Sequence, residues 1–218
     1  KTAITAKDGT VTDIFGGNDE GGTCPETNIE QNGTIVEDAI YGGGNQVATE
    51  NTNINLNKTQ STIPNVFGGG KSADATTTNI LVKGGDYTNI FGGSNTSGTV
   101  TTSNITAEEG NIKNIFGGNN EGGETVTSYV TINGGNIENA FGGGNQANTT
   151  TSNIKTTNGK IKNIYGGANQ ADVTTTYLDI MGGNIENAFG GSNMDGTVNE
   201  SNVTIESQSS KSTLDGIK

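Results

Sequence analysis

The chain has 218 residues, 36 of them glycine, and Leu, Ile, Val and Phe supply only about 19% of it, a share that in an unpatterned sequence would point to disorder. Its net charge is −12, with eleven lysines and no arginine, which argues against nucleic acid and against an anionic membrane surface, since both need a basic face. No apolar run is long enough to span a bilayer, and no histidine or tryptophan is present.

What rescues the chain from disorder is a period. An aromatic residue followed by two glycines recurs at Phe15, Tyr41, Phe67, Phe91, Phe116, Phe141, Tyr165 and Phe189, in steps of 24 to 26 residues. A fixed step in this range marks a solenoid, in which each unit contacts only its neighbours. The apolar residues then fall in columns. Four positions before the aromatic stand Val11, Ile63, Tyr87, Ile112, Ile137, Ile161 and Ile185, with Val36 and Glu37 suggesting a one-residue slip in the second coil. Immediately before it stand Ile14, Ile40, Val66, Ile90, Ile115, Ala140, Ile164 and Ala188. Further along each unit come Ile29, Ile54, Ile80, Ile105, Val130, Ile154, Leu178 and Val203. A second apolar residue often follows two positions later, as at Leu56, Val82, Ile132, Ile180 and Ile205, which is the alternation of a half-buried strand.

No segment has helical spacing. The expectation is an all-β fold: a single-stranded parallel β-helix, right-handed, of about eight coils with three short strands in each. Residues 1–206 form the repeat domain, and residues 207–218 a polar C-terminal tail or cap. At about 4.8 Å per coil the rod would be roughly 40 Å long. Both the aromatic column and the residue before it are apolar, so either could point inward; a buried aromatic stack is the expected arrangement. The paired glycines suit a sharp corner or a close backbone approach.

The polar columns give further checks. Lys113, Glu138, Lys162 and Glu186 alternate in sign at one position, so stacked coils would set opposite charges one strand apart. Asparagine occupies two columns. One holds Asn65, Asn89, Asn114, Asn139, Asn163 and Asn187; the other Asn45, Asn95, Asn120, Asn145, Asn169 and Asn193, with Asp19 and Lys71 as departures. Asparagine tolerates turn geometry, and identical amides stacked in register can bond along the axis. A row of outward amides could also bind sugar hydroxyls.

Equipment for catalysis is sparse, because the acidic residues are scattered and Cys24, in a glycine-rich stretch read as a loop, has no basic neighbour. Phe15 to Glu20 resembles the glycine-aspartate repeat of calcium-binding β-rolls, but the period differs and most coils carry Asn or Lys where an Asp is needed. Asp19, Glu20 and Glu121 are therefore weak metal candidates only. Threonine runs at 76–78, 99–102, 149–151 and 174–176 invite comparison with ice-binding solenoids, but they shift by a residue between coils and are mixed with Asp and Asn, so an ordinary solvated β-face is expected.

The unit Gly135-Asn136-Ile137-Glu138-Asn139-Ala140-Phe141-Gly142-Gly143-Gly144-Asn145, repeated with one Gly-to-Ser change at Gly183 to Asn193, resembles the tandem repeats of large cell-surface proteins of anaerobic, often gut-dwelling bacteria. The resemblance runs from about residue 8 to 206. It implies an extracellular, adhesin-like parallel β-helix and names no ligand. The chain opens on Lys1 within a strand-like stretch, so it is expected to be a segment of a larger protein whose export signal and anchor lie elsewhere. The expected function is a non-catalytic stalk or adhesive segment meeting host or environmental glycans or surface proteins, with end-to-end self-association as a further property and no cofactor. The alternative is a carbohydrate-active β-helix that binds or cleaves polysaccharide, disfavoured because the coils are nearly equal in length.

Overall fold

The computed structural model describes residues 1–206 and contains only strands and bends. The tail or cap expected at 207–218 lies outside the described residues. The chain winds through about eight coils as a parallel β-solenoid, and every strand pairs in parallel with its equivalents in the coils above and below. Two ladders run the length of the rod. The first contains Thr2–Lys7, Cys24–Asn32, Thr49–Lys58, Glu124–Ile132, Asn148–Thr156, Val173–Ile180 and Val198–Ile205; the second contains Thr10–Phe15, Ile35–Tyr41, Ile63–Phe67, Asn136–Phe141, Lys160–Tyr165 and Asn184–Phe189. Two long strands, Ala75–Phe91 and Thr99–Phe116, run round the bend and belong to both ladders.

The expected third strand of each coil is absent as a strand. After the aromatic residue the backbone bends through Gly-Gly-x-Asn, yet it stays bonded to its neighbours: Gly117 N donates to Phe141 O at 2.9 Å in the next coil, and Asn120 N to Ser94 O at 3.0 Å in the one before. This third side satisfies its polar backbone by the same coil-to-coil bonding as the strands, so little is lost by its irregular path. At the first glycine of the pair the requirement is close approach, because a Cβ on Gly117 would overlap the carbonyl oxygen of Gly142.

The columns assemble into two cores. The aliphatic columns meet between the ladders, with Ile29, Ile54, Ile80, Ile105, Val130, Ile154 and Leu178 all 2% exposed or less. Each such side chain contributes about 1.5–3 kcal/mol by leaving water. The aromatic residues form a second, separate core. Seven successive ring pairs from Phe15 to Phe189 stack at centroid distances between 4.6 Å and 5.0 Å, with planes within 9° of parallel. The aromatic residue and the aliphatic residue before it are thus both buried. Both belong to the strand, whose successive side chains face opposite ways, so each enters a different interior.

Register is held through every irregularity. The slip near Val36 is real: Val11 pairs with Val36 and Asp13 with Ala39, so the extra residue sits in a bulge and Val36 is buried. The alternating charges make one ion pair, Lys162 Nζ to Glu138 Oε1 at 3.6 Å, between half-exposed groups. A contact of that kind is worth little.

Candidate functional site

Side-chain amides bond along the axis in three long rows. In the row beyond the glycines, Asn120 donates to Asn95 at 2.8 Å, Asn145 to Asn120 at 2.9 Å, Asn169 to Asn145 at 2.8 Å and Asn193 to Asn169 at 2.9 Å. Asp19 heads the row by accepting from Asn45 at 2.7 Å, and Lys71 interrupts it, so that Asn95 donates instead to the Tyr41 hydroxyl at 3.2 Å. The row before the aromatics runs unbroken from Asn65 to Asn187. A third row, Asn28, Asn53, Asn79 and Asn104, lies on the outer face of the first ladder.

Inside the rod is a column that the sequence analysis missed. Thr27, Thr52, Thr78, Ser103, Ser128, Ser152 and Thr176 are fully buried, and each donates its hydroxyl to the carbonyl of a first glycine after an aromatic residue. Thr27 to Gly42 O, Thr52 to Gly68 O and Ser128 to Gly142 O are all 2.6 Å. That carbonyl turns inward, away from the coil-to-coil ladder, and the hydroxyl satisfies it where water cannot reach. The signal was available: Ser or Thr always stands two residues before the inward aliphatic position.

The bend between the two strands of a coil makes a groove down the side of the rod. Gly85, Gly110, Gly135, Gly159 and Gly183 occupy one position in five successive coils with φ between +88° and +108°, backbone that side-chain-bearing residues rarely adopt. The groove floor is therefore almost bare of side chains. Asn111, Asn136, Lys160 and Asn184 follow one another at one register position along it, Lys155 and Glu109 also line it, and its volume is about 1290 Å³. Asn136 donates to Asn111 at 2.9 Å and Asn111 to Asp86 at 2.8 Å. Tyr87, which replaces Ile in its column and is buried in the aliphatic core, donates its hydroxyl to Gly84 O of the same bend at 2.9 Å. Burial and the Asp86 carboxylate push its pKa well up.

Outside the first ladder the threonine runs correct the sequence-based expectation. Thr77, Thr102, Thr127, Thr151 and Thr175 pair in register through five coils. The one-residue differences in coil length are taken up in the bends, so runs that look shifted when counted from the aromatic residue are aligned in space. Beside this row the asparagine row continues as Asn104, Tyr129, Asn153, Tyr177 and Asn202, with both tyrosines projecting into solvent.

The remaining candidates stay apart. Asp19, Glu20 and Glu121 are exposed, and among the described residues no three His, Cys, Asp or Glu side chains come close enough to share a metal ion. Asn119 has its amide turned inward, where it donates to Gly98 O and Gly122 O at 2.8 Å and 3.0 Å and accepts from Ser94 N at 2.9 Å. Cys24 is the first residue of a strand and not a loop residue, and it is buried in a column of small inward side chains.

No protein-family model matches the chain, and neither the curated proteins nor the solved structures give a match.

Proposed function

We propose that this chain is a non-catalytic repeat segment of an extracellular bacterial surface protein, a stalk or adhesin-like rod whose side binds glycans. The observation that carries this reading is the lateral groove. It spans five coils, is floored by glycine backbone and edged by amides, and is open along its length. That shape suits an extended chain lying parallel to the axis better than a small molecule enclosed on all sides. Amide and hydroxyl groups that can both donate and accept match the hydroxyls of sugars. The uniform stacking of coils supports a stalk, since each added unit extends the rod without altering its cross-section. Net charge of −12 favours neutral partners over polyanions.

A polysaccharide-cleaving β-helix is the second reading, favoured by Asp86 and Glu109, which both line the groove. One experiment separates the two. Retention of the protein on a panel of immobilised polysaccharides, combined with measurement of released reducing ends, should give binding without product. Product that disappears in Asp86→Asn or Glu109→Gln would overturn the non-catalytic reading.

A further inference from the structure

The chain has eleven aromatic residues. Eight form the internal stack and Tyr87 is buried in the aliphatic core. The other two, Tyr129 and Tyr177, are 45% and 41% exposed and occupy the same outward column two coils apart. The fold itself favours asparagine there. Asn104 donates to Asn79 Oδ1 at 3.1 Å and to Thr78 O at 3.2 Å, and a tyrosine can make neither bond. Asn153, set between the two tyrosines, keeps only its bond to Ser128 O at 3.1 Å. Exposed rings have thus replaced structural amides twice, at matching positions.

Two coils correspond to about 9.6 Å along the rod. In an extended β-1,4-linked pyranose chain, every second sugar presents the same face, and that repeat has a similar length. The C–H face of a pyranose packs on an aromatic ring, and its equatorial hydroxyls need donors and acceptors at the ring edge. The row beside the tyrosines supplies them through Thr127, Thr151 and Thr175, and Asn153 supplies them from between the two rings. Resting on the glycan reading above, we propose that Tyr129 and Tyr177 form a platform for a neutral β-1,4-linked glycan lying along the axis. They stack against alternate sugars, while Asn153 and Thr151 bond to the sugar between them.

The test is calorimetric titration with cellohexaose, xylohexaose, mannohexaose and chitohexaose, alongside their disaccharides. At least one hexasaccharide should bind, and far better than its disaccharide, which is too short to reach both rings. Tyr129→Ala and Tyr177→Ala should each weaken binding by about three- to tenfold. Tyr177→Trp, which would place the sole tryptophan of the chain on the platform, should retain binding and change its emission when the hexasaccharide is added. Tyr129→Asn serves as the folding control: it should extend the amide row and raise stability while losing affinity. Hexasaccharide binding left unchanged in the double alanine variant would overturn the platform and leave glycan binding to the groove. Absence of binding to these oligosaccharides and to the polysaccharide panel alike would overturn both.

Discussion

Truncating Phe116 to alanine tests the claim that the aromatic stack is a principal source of stability. The ring is 5% exposed and lies between Phe91 and Phe141, each at 4.8 Å. Its neighbours cannot close over the gap, because coil spacing is held by backbone bonds on the same residues, such as Gly92 N to Phe116 O at 2.8 Å and Gly117 N to Phe141 O at 2.9 Å. The cost should therefore sit at the rigid end of the range for such truncations, about 3–5 kcal/mol. Phe189 provides the internal comparison. Its ring is only half-buried and stacks on Tyr165 alone, so Phe189→Ala should cost about 2 kcal/mol. Urea denaturation followed by far-ultraviolet circular dichroism would measure both. Hydrogen exchange of the flanking coils would show whether the array still unfolds as one unit. If Phe116→Ala costs no more than Phe189→Ala, the stack does not support the fold as argued.

Ser128→Ala should lose about 1–3 kcal/mol by stranding the Gly142 carbonyl, whereas Ser128→Thr should be nearly neutral, since Thr27, Thr52 and Thr78 already fill equivalent positions; equal losses in the two would refute the role given to the hydroxyl. Lys71→Asn should close the gap between Asn45 and Asn95 and raise stability by about 0.5–1 kcal/mol, read as a higher urea midpoint. Burial first, and then the Asp38 carboxylate, raise the pKa of Asp13. Protonation of this group therefore favours the folded state, a contribution present below about pH 3.9 and lost as pH rises through the higher folded value. Asp13→Asn, which can still accept the Ala39 N–H bond, should remove that component; urea midpoints of variant and parent taken at pH 3 and pH 7 should differ in slope, and identical slopes would count against the assignment.

The period, the parallel stacking, the aromatic pile and the amide rows at Asn65 and Asn95 onward were all legible in the sequence, because each depends on residues of one kind recurring at one interval. What was not legible depends on where the chain bends. Ile115 and Phe116 are adjacent in one strand and so face opposite ways, but a sequence pattern alone cannot show that the chain beyond the glycines leaves both faces covered. Counting from the aromatic residue misaligned the threonines because, from Thr77 to Thr175, coil length varies in the bends while the strands keep register. The buried hydroxyls were concealed because Thr78 and Thr176 sit inside runs whose other members are outside. Tyr129 and Tyr177 became conspicuous only once the paired strands showed that they interrupt a row of asparagines.

A rod built from near-identical units has an assembly problem. Sliding one part of the chain by a whole coil would set phenylalanine on phenylalanine and amide on amide, so the mistaken arrangement competes closely with the correct one. The departures from regularity distinguish them. The bulge beyond Val36, the cation at Lys71 and the inward amide of Asn119 each mark a coil that differs from those stacked on it. Restoring the consensus at all three would leave a more regular sequence with fewer marks of where each coil belongs.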